Sequence, residues 1–426
     1  MHDVAIIGGG PAGATAAALL AEADRSVVLF EKERFPRFHI GESLLPFNLD
    51  LFRRLGILEE LEERFVEKWG ARLFSSDGAV TRYIPFEEGF VSGYPRAFHV
   101  LRSEFDALLL RKAKDRGAEV HQGCLVAEAS ASHTQGCELT VRREDGQLSR
   151  HKARFLLDAS GRDAFLAGHR GLRRMTPHLK KASVYAHYEG IPRGEGKFAG
   201  DILLVVLKNG WFWLIPLPEG RTSVGLVLEG KTYRKIGKRP EDLLEQALRR
   251  CPLTREWTRE ANRVSEVYAA SDYSYECDGV AGDGYLLLGD AAAFIDPIFS
   301  TGVWLAMSSA EMAADTLHAA LGSASREGDL SPSTFAGYER KVRRHVRNYT
   351  RIVTRFYLPG FMDVFLQPAA RFRIKESVIS LLAGLADPPP AVRLRLALFY
   401  LIVRLQRRLR FLPGVPLLEV LEEGKT

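Results

Sequence analysis

Apolar positions at the start of the chain form one continuous run, residues 3–8 (DVAIIG), followed by an alanine-rich segment from Pro11 to Ala23 and a second apolar run, Val27 to Phe30, that ends at Glu31. Short β-branched runs suit strands buried on both faces, and the alanine-rich stretch suits a helix packed closely between them. The pattern therefore predicts strand, glycine turn, helix and strand, a single βαβ unit. Further strands are expected near residues 119–127, 137–143, 154–158, 183–189, 202–208, 211–217, 222–228 and 285–289, whereas the segments after Gly302 have mostly helical patterning. Prolines 388, 389, 390, 413 and 416 interrupt the last of these helices.

The nucleotide-type motifs described below fall at the start, near residue 102, near residue 158 and near residue 290. That spread predicts an α/β fold with a discontinuous Rossmann-like dinucleotide-binding domain over 1–75, 97–170 and 270–350. A mainly β substrate domain, 76–96 and 171–269, would be inserted into it, with a separate helical C-terminal extension over 351–426. Composition agrees with a folded enzyme, since 46% of residues are apolar and 26% charged. Cys124, Cys137, Cys251 and Cys277 lack paired spacing, so neither a disulfide framework nor a metal site is expected. No charged leader precedes the first strand, and no run of about 18 apolar residues follows, which makes a cytoplasmic location the default expectation.

The net charge of +6 changes that picture at one place. Lys341, Arg343, Arg344, Arg347, Arg351 and Arg355 form one basic cluster, and Arg393, Arg395, Arg404, Arg407, Arg408 and Arg410 another. Alternation with Val342, Val346, Ile352, Val353, Leu394, Leu396, Leu398, Ile402, Val403 and Leu405 gives helices basic on one side and apolar on another. Such faces suit an acidic protein, an anionic membrane touched peripherally, or packing within the fold.

Gly8-Gly9-Gly10-Pro11-Ala12-Gly13 fits G-x-G-x-x-G between a strand and a helix. Gly8 allows the tight turn, Gly10 brings backbone to a pyrophosphate, and Gly13 lets the helix approach the strand. Glu31, followed by Lys32, stands where a carboxylate accepts bonds from ribose hydroxyls. Residues 282–292 (GDGYLLLGDAA) place Asp290 at a strand end before small residues, and Arg102 opens a helix from which it could meet the pyrophosphate. In this order, the three motifs resemble those of the FAD enzymes that include aromatic hydroxylases, geranylgeranyl reductases and flavin-dependent halogenases, over roughly residues 2–350.

Within that group the resemblance narrows toward the halogenases. Asp158-Ala159-Ser160-Gly161-Arg162 departs from the Asp-Gly motif of the hydroxylases that use NADPH directly. Gly41-Glu42-Ser43-Leu44-Leu45-Pro46 is similar to the halogenase version of a segment that carries Pro-x-x-Cys-Gly in the reductases. Trp211-Phe212-Trp213-Leu214-Ile215-Pro216 matches the W-x-W-x-I-P motif of flavin halogenases, and period-two geometry puts both indoles on one face. Lys68 falls where halogenases place an essential lysine, either as an ammonium bonding hypochlorous acid or as a neutral amine forming a chloramine; desolvation next to Trp69 would favour the neutral form. Asp296-Pro297-Ile298-Phe299-Ser300-Thr301-Gly302-Val303 resembles the segment that lines the flavin, with Pro297, Gly302 and Val303 beside the cofactor and the Thr301 and Gly302 amides offered to halide.

The resemblance implies FADH2- and O2-dependent chlorination or bromination, in which a separate flavin reductase supplies FADH2. Halide attacks the distal oxygen of a C4a-hydroperoxyflavin to give hypohalous acid, and Trp211 and Trp213 wall the flavin from the substrate. Phe299 and Ser300 would line the substrate pocket. Phe299 replaces the catalytic glutamate of tryptophan halogenases, so phenols or pyrroles, free or tethered to a carrier protein, are the expected substrates, and no nucleic acid is. A hydroxylase or reductase of the same fold, or a carrier- or membrane-associated flavoprotein without halogenating activity, would share the nucleotide motifs but not a dependence on Lys68.

Overall fold

The computed structural model describes residues 1–271, 274–322, 329–367 and 373–421. Its first sheet runs in the order Ala281–Gly282, Tyr285–Leu287, Leu148–Asp158, His2–Ile7, Val27–Glu31 and Glu119–Gln122. His2–Ile7 pairs in parallel with both Leu148–Asp158 and Val27–Glu31, which completes the expected βαβ unit. Pro at the first turn starts the Pro11–Glu22 helix, and nearly every side chain in it is buried. It lies between the Arg102–Asp115 and Thr301–Gly322 helices. Small side chains permit that close packing, so the alanine content reflects helix contact on all sides rather than one amphipathic face.

The second sheet runs Asn262–Arg263, Lys181–Glu189, Arg221–Glu229, Gly210–Pro216, Ile202–Val206, Gly70–Ser75 and Thr81–Pro85. Its two faces serve different cores. Trp211, Trp213 and Ile215 join the large core shared with the nucleotide domain, while Phe212 and Leu214 join a smaller one with Leu243, Leu244, Ala247 and Leu248 of the Pro240–Arg250 helix. Each of those leucines contributes roughly 1.5–3 kcal/mol by leaving water. Strand pairing puts Gly70–Ser75 in this sheet, so the chain crosses between sheets at residue 69 rather than at 75. The strands Val66–Lys68, Gly70–Ser75, Thr81–Pro85 and Ala97–His99 were not foreseen, because charged and glycine residues break their alternation.

The C-terminal region is helical as expected, with Ala336–Phe356, Phe361–Phe365, Ile374–Ala383 and Pro390–Leu409, and it packs back onto both sheets. Tyr338 donates to the Leu287 carbonyl of the first sheet at 2.6 Å. The tail returns to the second sheet, where the Leu418 amide donates to Ser76 Oγ at 2.6 Å, Lys208 pairs with Glu419 at 2.9 Å, and Val420 and Leu421 close the smaller core. Among the described residues, no helix is long and apolar enough to cross a membrane.

Candidate functional site

The glycine turn has the geometry of a phosphate cradle. Gly8 has φ +96°, and a Cβ there would stand 2.4 Å from the Ala159 carbonyl oxygen; one on Gly13 would stand 1.9 Å from that of Gly8. Glycine is therefore required at both positions. A Cβ on Gly10 would meet only Arg37 Nη2, at 3.7 Å, so the backbone there is open to a ligand. Glu31 is 4% exposed and accepts from the Gly9 amide at 2.6 Å and the Glu33 amide at 2.9 Å. Its carboxylate thus fixes the turn itself, with lone pairs left for a ribose. Ala12 is buried behind the turn, Pro11 at its helix start, while Lys32 points to the surface, where it pairs with Asp163 at 2.5 Å.

Arg102 is buried, but it is committed to protein partners. Its guanidinium grips Asp106 at 2.8 and 2.9 Å and donates to the Ile40 carbonyl at 2.8 Å. Burial alone would raise the Asp106 carboxyl; Arg102 and then Arg37 outweigh it and hold the group below the usual carboxylate range. Arg37 donates to the same carboxylate at 2.9 Å while its Nη2 faces Gly10. Arg37, also paired with Glu33 at 2.9 Å, is thus a second cation beside the turn, and it stands in an irregular segment where no motif marks it. Arg102 instead organises the 40–46 loop and lies near Asp290, whose carboxyl is pushed up by burial to about 6 despite Arg102 and Arg162.

That loop holds Lys68. The side chain is 2% exposed, donates to Ser43 Oγ at 2.9 Å and the Leu44 carbonyl at 3.1 Å, and lies 5.1 Å from the Phe86 ring centre. Burial lowers its pKa to about 7, with Asp201 as the opposing influence. Trp69 stands between the Val66–Lys68 and Gly70–Ser75 strands, and its indole donates to Glu67 at 3.2 Å. Two more buried groups surround the lysine. His99 is held neutral by burial and has no partner at Nδ1, and Asp201 is held by Arg72 at 3.0 Å with Oδ1 unpartnered. Glu42, also unforeseen, meets His187 Nε2 at 2.7 Å and joins the loop to the Lys181–Glu189 strand.

Trp211 and Trp213 stand side by side, ring centres 5.8 Å apart. Trp213 lies across Gly225 of the neighbouring strand, where a Cβ would come within 2.1 Å of the indole. The indole nitrogens are satisfied by Tyr357 Oη at 2.9 Å and Ser223 Oγ at 3.1 Å. The turn Asp296–Thr301 carries Pro297 at the start of a short 3-10 segment, buried Phe299, and Ser300 in the left-handed region at φ 57°. Thr301 then begins a 22-residue helix with no acidic residue in its first turn. Thr301 Oγ1 is buried without a partner, and a Cβ on Gly302 would meet nothing within 4 Å. Unpaired helix-start amides beside an orphaned hydroxyl, with Val303 behind them, suit a small anion. A cavity of about 110 Å3 opens between Tyr83 and Ile84 and the C-terminal Val364, Phe365, Ile379 and Phe399.

The FAD-binding-domain family profile matches residues 1–351. A 1H-pyrrole-2-carbonyl-[peptidyl-carrier protein] chlorinase of Pseudomonas fluorescens is 33% identical over 411 residues, 90% of this chain and 89% of that one. Among solved structures, the flavin-dependent brominase Bmp2 superposes with a TM-score of 0.82 at 26% identity, covering 95% of this chain and 99% of that one. A flavoprotein/dehydrogenase from Cytophaga hutchinsonii gives 0.85 at 27% identity, over 94% and 98%.

Proposed function

The chain belongs to the family of flavin-dependent halogenases built on an FAD-binding domain, and on that premise we propose that it halogenates an electron-rich, pyrrole-like ring presented on an acidic carrier protein, with Lys68 delivering the halogen. FAD is its cofactor, and the open backbone at Gly10 with Arg37 beside it fits a pyrophosphate. Reduced FAD, supplied by a separate reductase, activates oxygen so that halide becomes hypohalous acid. The protein's own part is to hold halide at the Thr301 and Gly302 amides, exclude substrate from the flavin with Trp211 and Trp213, and orient the halogen at Lys68.

The observation that carries this reading is the burial of Lys68. An amine whose pKa lies near 7 is partly neutral at physiological pH, so it can bond hypohalous acid as an ammonium or take up the halogen as a free amine. Phe299, buried against Phe356, supplies no base, which favours rings that are already activated. Turnover with reductase, oxygen and chloride or bromide, followed by product mass, tests the reading. Halogenated pyrrole is expected from the parent and none from Lys68→Ala; a hydroxylated product, or undiminished halogenation in the variant, would overturn it.

The carrier is supported by the outer face of the Pro390–Leu409 helix. Its Val392, Leu396, Phe399 and Val403 point inward, leaving Leu394 73% and Leu409 68% exposed beside Leu401 and Leu405. Among the described residues, Arg393, Arg404, Arg407, Arg408 and Arg410 pair with no carboxylate, although each is exposed. At helical spacing, Arg393, Arg404, Arg407 and Arg408 fall along one flank of the leucine line, which suits an acidic helix lying alongside better than a bilayer that needs charge on both flanks. The first basic cluster serves the fold instead. Arg343 pairs with Glu339 at 2.8 Å, Arg344 with Asp387 at 2.8 Å, and Arg351 and Arg355 lie over the Tyr400 ring.

A further inference from the structure

Beyond the span matched by the family profile, the end of the Ala336–Phe356 helix touches the anion-binding turn twice. Phe356 packs edge-on against Phe299 with ring centres 5.7 Å apart. The next residue, Tyr357, donates its hydroxyl to Asp296 Oδ2 at 2.9 Å and accepts from Trp211 Nε1 at 2.9 Å. Asp296 Oδ1 accepts from the Ile298 amide at 3.1 Å, so the same carboxylate that bonds Tyr357 also caps the short segment leading to Ser300 and Thr301. Lys181 places its ammonium 3.6 Å from the Tyr357 ring centre and 3.7 Å from Glu229, which pins the ring from the sheet side.

We propose that Tyr357 is a positioning residue for the halide site, locking the Asp296–Thr301 turn in register with the double-tryptophan strand. One phenol thus reads both walls of the flavin site. Trp211 fixes the oxygen from one side, Asp296 from the other, and Lys181 and Phe356 prevent the ring from turning away. The turn needs such a lock because Ser300 is a non-glycine residue in the left-handed region, a strained conformation that persists only where neighbours impose it. Without the hydroxyl, the buried Asp296 carboxylate loses its side-chain donor and the turn is free to relax, carrying the Thr301 and Gly302 amides out of line.

The inference rests on the assignment of halide to Thr301 and Gly302. The test is Tyr357→Phe, which keeps the ring, its packing and its contact with Lys181 while removing one oxygen. Halide affinity is read by chloride and bromide titration of the absorption spectrum of the FAD-bound protein, and separately as halide KM against kcat. Loss of one charge-assisted hydrogen bond predicts roughly tenfold weaker halide binding, a matching rise in halide KM, little change in kcat at saturating halide, and unchanged FAD affinity. Asp296→Asn is expected to weaken halide at least as much, since that carboxylate also caps the Ile298 amide, and the double variant to lose clearly less than the product of the two fold-changes, because the pair shares one bond. Unaltered halide affinity in Tyr357→Phe, or losses that add in the double variant, would overturn the positioning role. If the parent gives no halogenated product and no halide-dependent spectrum, the functional reading itself fails, an outcome separate from a parent that binds halide while Tyr357→Phe matches it.

Discussion

Replacing Lys68 with methionine should abolish halogenation and make the protein more stable. The lysine pKa falls from 10.5 to about 7 because the side chain is buried. At 1.36 kcal/mol per pKa unit, this costs about 5 kcal/mol of folding stability wherever both folded and unfolded chains carry the proton, that is, below pH 7. Between pH 7 and 10.5 the unfolded chain binds more protons than the folded one, so stability rises with pH across that window. The cost is about 5 kcal/mol at pH 6 and about 3 at pH 8 by the same linkage. Methionine fills similar space without a charge but forfeits the bonds to Ser43 Oγ and the Leu44 carbonyl, which offsets about 1–3 kcal/mol. Lys68→Met should therefore melt above the parent, by about 2–4 kcal/mol equivalent at pH 6 and less at pH 8. Thermal unfolding of both FAD-free proteins at the two pH values measures this. A variant less stable than the parent at both, or an offset independent of pH, would refute the claim that the lysine is held desolvated.

Three further outcomes test other parts of the site. Asp201→Asn removes the carboxylate that opposes the fall in Lys68, so the rising limb of halogenation rate against pH, expected near 7 if the neutral amine reacts, should move to lower pH; a limb that stays put would detach Asp201 from the lysine. Arg37→Met should weaken FAD binding by roughly tenfold or more, since it deletes a charged donor at the phosphate cradle, and fluorimetric titration that finds unchanged affinity would return the role to Arg102. Charge reversal at Arg404, Arg407 and Arg408 together should lower activity on a carrier-tethered substrate and spare the free ring, with the parent's preference fading as salt rises. Equal rates on both substrate forms in both proteins would remove the docking surface, and binding to anionic vesicles but not to carrier would reassign it to a membrane.

The glycine turn, the strand-end acids and the double tryptophan were legible because each depends on local geometry: a tight turn, a strand terminus, a period of two. Arg37 was hidden because a guanidinium reaches far from its own backbone, and its destination depends on which carboxylate lies buried nearby; here that is Asp106, which holds both Arg37 and Arg102. Lys68 was legible as a position but not as an environment, since Phe86 and Asp201 come from distant segments. The same reason hid Glu42–His187, a contact across 145 positions.

The packing of the helical C-terminal extension carries the most information about how the site is built. A basic helical tail with proline breakers has no internal signal that its inward residues complete another domain's turn. Yet Phe356 and Tyr357 meet the Asp296–Thr301 turn, and Phe399 helps line the cavity that also contains Ile84. If the proposed halide site is right, contact with this turn together with a wall of the cavity makes the C-terminal segment the part through which substrate shape would act on halide placement. A chimera that exchanges residues 358–421 with those of a relative but keeps Tyr357 should accordingly change which ring is accepted while leaving halide affinity and FAD binding near the parent's values. Halide affinity that falls together with ring preference would show that the two functions of the segment cannot be separated at that position.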